Sequence, residues 1–580
     1  MNPARAQSAS LLELAGAPGL SRRSALVVLA FGVVSLGAGL GAGWALTRHE
    51  VLAAQPAREM LAEGRWIVPH FAGEPRVLKP PTMGWAIAAF MAVGGEAEWV
   101  VRLPSALAGL ITGLMVAWAG GRWLGDRAGL VAGLVQLSSV HLLMQARLAE
   151  ADMPLAACVV GSLLCFLSAR APSRMGVAEG RWWAWAFWVL AGVAFLFKGP
   201  VGPLFVAVGV ACWMALKRDL GAWRFLASPV GLAAFIVLVG AWPLAAWRAY
   251  PPIAEAWWQE TLGRAAGELR EPHPWWLYLV NTPLMLLPWL PACVVAVLAV
   301  RRDGSIPSTV LKWAGLFVGV SMLLLSLMAF KAKHYMLPAL PPMSLVAAVG
   351  LLAVVKRSAR ATTAVFGVVL ACIVGVMLWV MPKFDDYRPS ADLGRAASRL
   401  VPPGRTVYLV GLREAHVAFY VRLPVKRIDD VDRATLDLTA AESYAIAPLS
   451  AAAALEREGF VEELARMERP ASRRDREPLV LLRIRPRTMY ARGRGPSGYG
   501  RGASGYGLIF SITPLSLARY ASATVDSMSA SGLTGIRSFT CSGRRPDFMI
   551  VSIAPLSIRA AAVCASAGDS PNDSARASSS

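Results

Sequence analysis

Charge is scarce in this chain: Asp, Glu, Lys and Arg make up 16% of 580 residues, against about 25% in ordinary globular proteins. A soluble surface cannot be covered by so few charges when 56% of the residues are hydrophobic and mean hydropathy is +0.49, so a soluble globular fold is excluded. Cysteine is sparse and never paired as CxxC. Five of the seven lie inside apolar runs, which excludes a disulfide framework or a zinc knuckle and leaves small buried hydrophobes. The six histidines show no HxxxH or HExxH spacing, so a histidine-rich metal site has no support. Inverted repeats are missing too, as are Gly/Pro-broken helices at matching places in two halves, which argues against a secondary transporter.

What is present is a succession of long apolar runs. Arg22-Arg23 precede an uninterrupted one over about 25–46, longer than a signal-peptide core and suited to an uncleaved anchor with a cytoplasmic N-terminus. Runs of about 16–23 residues follow near 103–121, 128–146, 153–169, 183–197, 200–216, 225–247, 277–299, 311–330, 336–355 and 362–381. The segment 82–95, at about 14 residues, is short for a crossing and reads as an interfacial helix. With that assignment, Arg122/Arg127, Arg170/Arg174/Arg181, Lys217/Arg218/Arg224, Arg301/Arg302 and Lys356/Arg357/Arg360 all fall on one side. The positive-inside rule makes it the cytoplasm, with about eleven crossings. A net charge of +21 therefore reflects membrane orientation rather than nucleic-acid binding. The 21 tryptophans suit interfacial belts.

The fold expected is a polytopic α-helical membrane protein: residues 1–24 cytoplasmic, 25–383 transmembrane with a first periplasmic loop over 47–102, and a small α/β periplasmic domain over 384–486. In that last segment the apolar runs shorten to strand length (TVYLVGL, HVAFYVRL, SYAIAPL, PLVLLRI) around one helical stretch, AAALEREGFVEELARMER. The tail 487–580 carries no Lys, Glu or Trp and contains GRGPSGYGRGASGYG, a low-complexity composition that predicts disorder. Its single Arg/Gly/Tyr stretch is too short to read as an RNA-binding segment.

Polar residues concentrate on the non-cytoplasmic side: the loop 47–102, Glu150/Asp152, Lys198, Arg264 and the island Lys331-Ala-Lys-His-Tyr335. Charges flanking membrane helices are costly unless they bind or catalyse. Asp152, before Met-Pro, reads equally as a helix cap or as a carboxylate placed as general base or metal ligand. Lys79, before Pro80-Pro81, either only fixes a helix entry or is a point charge for a lipid phosphate. Snorkelling to headgroups competes with binding for each of these cations. The small-residue run GAGLGAG at 36–42 reads as close helix packing.

EMLAEGRWIVPHFAGEPRVLKPP, EWVVRLPSALAGL, ARLAEADMP, FKGP and KAKHYMLPALPP, in that order over about 25–385, resemble bacterial polyprenyl-phosphate-sugar glycosyltransferases of the GT-C type. That family includes the aminoarabinose transferases and the protein O-mannosyltransferases. The resemblance implies inverting transfer of a sugar from an isoprenoid phosphate to a lipid A-like glycolipid or a protein hydroxyl, at the periplasmic face of the inner membrane. Its other partners are membrane lipids, with no nucleic acid. The donor is the polyprenyl-phosphate-linked sugar, no cofactor is certain, and a divalent metal stays an open option without a metal-ligand set.

Carried over residue by residue, the resemblance gives Asp152 as catalytic acid. It gives Lys79, Arg264, Lys333, His334 and Tyr335 around the lipid phosphate. Two departures stand out. Where relatives open the first loop with Asp-Glu and then Arg-Tyr, this chain has His49-Glu50 and Leu52-Ala53, so Glu50 is the only nearby acid to replace the aspartate as a catalytic group. Leu78 replaces the acid before Lys-Pro-Pro, which weakens a metal there. A non-catalytic homologue that only binds the carrier, and a lipid or solute transporter, are the alternatives.

Overall fold

The computed structural model describes residues 10–486 apart from 42–43, 178–179, 261–272, 303–307, 357, 413–415 and 468–476. Arg264 and the tail 487–580 lie outside the described residues.

The chain opens with a short helix α1 (Leu11–Ala15) and the apolar α2 (Arg22–Gly37), whose N-cap Ser21 accepts from the Ser24 backbone N–H. Next comes α3 (Arg48–Glu63), polar in sequence and started by a capping box. Thr47 accepts from the Glu50 N–H while the Glu50 carboxylate accepts from the Thr47 N–H. Gly64 in the left-handed conformation ends it. Strands β1 (His70–Phe71) and β2 (Glu74–Pro75) form a hairpin whose two turn residues, Ala72 and Gly73, both have positive φ (52° and 83°), as a type I′ turn requires. Helix α4 (Thr82–Gly94), only 13 residues long, follows Pro80-Pro81 and packs on α3 and on α5 (Glu98–Trp123).

Then come α6 (Asp126–Ser138), α7 (Val140–Gln145), α8 (Asp152–Arg170), α9 (Trp182–Lys198), α10 (Val201–Lys217), α11 (Gly221–Leu226), α12 (Pro229–Ala249) and α13 (Ile253–Trp258). Later helices run over Leu277–Met285, Leu290–Arg302, Ser308–Leu327, Leu340–Val355 and Ala359–Gly375, with a 3₁₀ segment at Lys333–Ala339. Helices thus lie in each apolar run read from the sequence, but the run expected over 25–46 is helical only to Gly37, and those near 128–146 and 277–299 are each broken into two helices. Among the described residues six are long and apolar enough to cross a membrane: Glu98–Trp123, Asp152–Arg170, Pro229–Ala249, Thr309–Leu327, Lys333–Val355 and Ala359–Phe384. Leu277–Met285 with Leu290–Arg302, bent by 90°, is a seventh if counted as one span.

Close backbone approach builds the bundle. A Cβ on Gly120 would lie 2.7 Å from the Gly129 Cα, and one on Gly129 would lie 2.4 Å from the Ala117 carbonyl oxygen, so α5 and α6 meet where only hydrogen fits.

After helix Arg388–Leu400 the chain forms a five-stranded sheet in the order β4-β3-β5-β7-β6, from β3 (Val407–Val410), β4 (Val425–Ile428), β5 (Ser443–Pro448), β6 (Phe460–Arg466) and β7 (Leu479–Arg485). β3 pairs in parallel with β4 and β5, and β7 runs antiparallel to β5 and β6. Two local expectations fail. HVAFYVRL is not a strand: His416–Tyr420 is a 3₁₀ turn with all five residues buried. In the stretch read as one helix, the helix stops at Glu458, and Phe460–Arg466 becomes the edge strand β6. Gly459 breaks the helical run, and the alternating FVEELAR is half-buried, as an edge strand is.

The sheet shares one core with the first loop. Val51 and Ala54 of α3, Ile87 of α4, Val407 of β3, Phe419 of the 3₁₀ turn, and Leu481 of β7 belong to a single buried cluster. The Arg427 N–H donates to the Ala72 carbonyl at 3.0 Å, joining the hairpin to β4. Arg58 of α3 donates to the carbonyls of Phe419 and Val421 and lies 4.4 Å from the Phe419 ring.

Beneath this roof lies the most buried ion pair among the described residues. Arg102 of α5 and Glu50 of α3 have side chains 0% exposed, with Nε to Oε1 at 2.7 Å and Nη2 to Oε2 at 3.1 Å. Arg102 also donates to the carbonyls of Leu40, Trp44 and Ala45. Glu50 accepts from the backbone N–H groups of Thr47 and Ala149. Removing one partner strands a buried charge, so Arg102→Leu is expected to cost about 3–5 kcal/mol. Arg395→Leu, which breaks the partly exposed pair with Glu98, is expected to cost about 1 kcal/mol or less. Thermal unfolding of the two purified variants in detergent checks this. Equal losses would remove the anchoring role from Arg102.

Candidate functional site

Where the first loop, the turn before α8, the end of α9 and the 331–335 island converge, the structure encloses a cavity of about 490 Å³. Its polar lining is supplied mainly by His49, Arg76, Lys79, Glu150, Asp152 and Lys198, with Gln145, Glu260, His334 and Tyr335 completing it. Pro56 and Met60 of α3 and Phe197 and Phe330 give it an apolar side.

Each polar side chain is delivered by local chain geometry. Asp152 is the first residue of α8, not its N-cap, which is Ala151. Its carboxylate accepts from Lys198, the last residue of α9, at 2.5 Å, and the His334 Nε2 lies 3.7 Å from the same oxygen. The capping alternative for Asp152 therefore gives way to a cross-helix ion pair. Gly199, at φ 68°, turns the chain directly after Lys198 and closes α9 there. The Lys198 ammonium also sits 4.9 Å from the centre of the Tyr335 ring, within cation–π range. Tyr335 is oriented in turn by its edge contact with His334, ring centres 5.2 Å apart. The island itself is fixed by Tyr278, whose hydroxyl donates to the Ala332 carbonyl at 3.0 Å.

The turn that carries Glu150 and Asp152 is held on three sides. Arg147 donates to the carbonyls of Ser35 and Ala38, tying the turn to the C-terminal end of α2. The Ala149 N–H donates to Glu50, and the Ser105 hydroxyl donates to the Glu150 carbonyl at 3.1 Å. Burial pushes the Glu150 carboxyl up to about 7. Asp152 and Glu50 add to the rise, against the opposing charges of Lys198 and Lys79.

The sequence-derived candidates divide accordingly. Asp152, Lys79, His334 and Tyr335 line the cavity. Glu50 does not. It is turned inward to Arg102, and the neighbour that reaches the cavity is His49. Lys333, the first residue of the 3₁₀ segment Lys333–Ala339, is exposed and absent from the lining that His334 and Tyr335 join, since three residues per turn send successive side chains to different sides. Lys331, also suspected of binding, donates instead to the carbonyls of Met328 and His273. Arg264 lies outside the described residues. Lys198, Glu150, Arg76 and Glu260 were not among the assigned site residues. Lys198 and Glu150 carried a signal, a charge at the mouth of an apolar run, and Arg76 carried that of the polar first loop, whereas Glu260 had no individual signal. Among the described residues no group of three His, Cys, Asp or Glu is arranged to hold a metal ion.

Residues 78–247 match the family described as dolichyl-phosphate-mannose-protein mannosyltransferase. Over 311 residues the chain is 31% identical to the undecaprenyl phosphate-alpha-4-amino-4-deoxy-L-arabinose arabinosyl transferase 2 of Pseudomonas fluorescens Pf0-1, covering 50% of this chain and 53% of that protein. Over 347 residues it is 29% identical to the corresponding transferase of Pseudomonas aeruginosa PAO1, covering 56% and 59%. The chain thus spans a little over half the length of the curated relatives it matches. Its fold is that of ArnT from Cupriavidus metallidurans, solved bound to undecaprenyl phosphate, with a TM-score of 0.67, 20% identity, and 80% of this chain and 97% of the other covered. The apo form of the same protein gives 0.65. The resemblance read from the motifs is upheld: the chain has a helical, membrane-type GT-C fold, and its residues 78–247 match a glycosyltransferase family.

A buried ion pair this short predicts strong coupling. In a double-mutant cycle, Lys198→Met and Asp152→Asn are each expected to lower stability, with the double variant losing about 1.5–3 kcal/mol less than the sum. Thermal unfolding of the four proteins measures it, and strict additivity would mean that the pair does not form.

Proposed function

We propose that this protein transfers a sugar, with inversion, from a polyprenyl-phosphate carrier to a lipid A-like glycolipid at the periplasmic face of the inner membrane. The observation that carries this reading is the cavity itself: cations (Arg76, Lys79, Lys198) and acids (Glu150, Asp152) meet where lipid-facing helices give way to polar loops. Such a place suits a substrate with an apolar tail and a charged head. The bond broken joins the anomeric carbon to the lipid phosphate, so the leaving phosphate gathers negative charge, which Lys79 and Lys198 neutralise. Arg264 is proposed to join them from the later loop. Asp152, paired with Lys198, orients the acceptor hydroxyl, and a carboxylate of the same turn takes its proton. His334 and Tyr335 shape the phosphate side of the cavity.

The reading includes about eleven crossings, a cytoplasmic N-terminus and a periplasmic sheet, supported by the basic loops gathered on one side. A glycolipid acceptor and a pentose are favoured over a protein and a hexose by the aminoarabinosyl transferases at about 30% identity. A second reading, a carrier-binding protein without transfer, is favoured by one observation: His49 stands at the cavity where relatives have the first-loop aspartate.

The deciding experiment is transfer from radiolabelled polyprenyl-phosphate sugars to a membrane-lipid extract by the purified, reconstituted chain. Wild type is expected to label a lipid product. Asp152→Asn is expected to lower the rate by at least about 100-fold, and Lys79→Ala to weaken carrier binding about 10-fold or more. Carrier binding without transfer from any donor would leave the non-catalytic reading.

A further inference from the structure

The two carboxylates of the 150–152 turn are not equivalent. Asp152 is committed: Lys198 donates to it at 2.5 Å and His334 approaches it at 3.7 Å. A carboxylate so paired favours its charged form and is a weak base. Glu150 is pinned by its backbone, its N–H donating to Leu148 and its carbonyl accepting from Ser105. Its carboxylate lines the cavity and has no ion pair or hydrogen bond among the described residues. The first-loop acid that the resemblance calls for is missing from the cavity, since His49 stands there and Glu50 is held by Arg102.

From these placements, and resting on the transferase reading above, we propose that Glu150 is the proton acceptor of the transfer step, with Asp152 a positioning residue that holds Lys198. The acceptor O–H proton passes to the Glu150 carboxylate as that oxygen bonds to the anomeric carbon. The bond from that carbon to the phosphate oxygen breaks, its electron pair leaving on the polyprenyl phosphate beside Lys79 and Lys198. Glu150 then returns the proton to water.

Charged and titratable groups face Glu150 from every side of the cavity. They are His49 on α3, Arg76 and Lys79 in the first loop, Asp152 in its own turn, Lys198 at the end of α9, Glu260, and His334 with Tyr335. Glu50 acts on it from behind the wall. Burial among them brings the Glu150 carboxyl to about 7, where a base is best matched to neutral solution. A group raised this far is protonated and inactive below about 7 and gains its basic form above it. The donor is a phosphodiester and does not titrate in this range.

The test is the pH profile of kcat/KM for reconstituted full-length protein with a polyprenyl-phosphate pentose donor and lipid-extract acceptor. Wild type is expected to fall about tenfold per pH unit on the acid side, with its half-point near 7. Glu150→Gln is expected to lose about 100- to 10,000-fold in kcat and to lose the acid limb, while binding polyprenyl phosphate within about twofold of wild type, which also shows that it is folded. Glu150→Asp is expected to regain part of the rate. Asp152→Asn, though slow, is expected to keep an acid limb moved to lower pH, because a neighbouring negative charge is gone. Wild-type-like transfer by Glu150→Gln, or an acid limb unchanged in it, overturns the assignment alone. No transfer by wild type at any pH overturns the transferase reading and this assignment with it.

Discussion

A guanidinium and a carboxylate, both sealed from solvent, fix the geometry of everything around the cavity. Arg102 and Glu50 satisfy each other and five backbone groups besides: the carbonyls of Leu40, Trp44 and Ala45 and the N–H groups of Thr47 and Ala149. The end of α2, the start of α3, helix α5 and the turn before α8 are thereby joined at one point. Such a pair is weak evidence for net stability, because desolvation offsets much of its attraction. Its value is geometric. Ala149 is three residues before Asp152, so the atom that anchors the turn also sets where Asp152 and Glu150 emerge.

The roof follows from that anchor. Once α3 is fixed, its Val51 and Ala54 join one buried cluster with Phe419 of the 3₁₀ turn and with Val407 and Leu481 of the sheet, while Arg58 and the hairpin carbonyl of Ala72 make the polar joints. Burial leaves the Arg58 charge less favoured than in water, with Glu96 compensating. Glu96 in turn pairs with Arg422, so the sheet and the start of α5 are clamped at the rim. A soluble-looking sheet is therefore not an appendage. It shares its core with the first loop, and its sequence had to supply apolar faces toward both neighbours.

Features set by nearest neighbours or by long apolar runs were legible before any coordinates. The helices, the shortness of Thr82–Gly94, the rigid Lys79-Pro80-Pro81 entry and the acid opening α8 all fall in this class. What escaped depends on partners far apart in the chain. Glu50 looked like the replacement for a missing aspartate because nothing near it reveals Arg102, 52 residues on. Asp152 looked as much like a cap as a site because Lys198 is 46 residues away. Lys333 and His334 are adjacent in a motif that suggests one role for both, yet they have different fates: one is exposed and one lines the cavity. Sequence gives charge and order, but not which way the first turn of a 3₁₀ segment faces. In the C-terminal segment, the 3₁₀ turn at His416–Tyr420 reads as a strand because both bury consecutive apolar residues; only hydrogen-bond pairing distinguishes them.

The pairing of Asp152 with Lys198 also answers a difficulty that any site for a lipid phosphate faces. Cations must be present before the phosphate arrives, and a buried ammonium without a counter-charge is costly. Asp152 supplies that counter-charge in advance, and Tyr335 supports the ammonium from its ring face. The same carboxylate cannot then be a strong base as well, because whatever stabilises its charge lowers its appetite for a proton. A site that must stabilise an anionic leaving group and also accept a proton therefore needs two carboxylates in different surroundings. The turn at 150–152 provides them two residues apart, one committed to a cation and the other without an ion pair or hydrogen bond among the described residues.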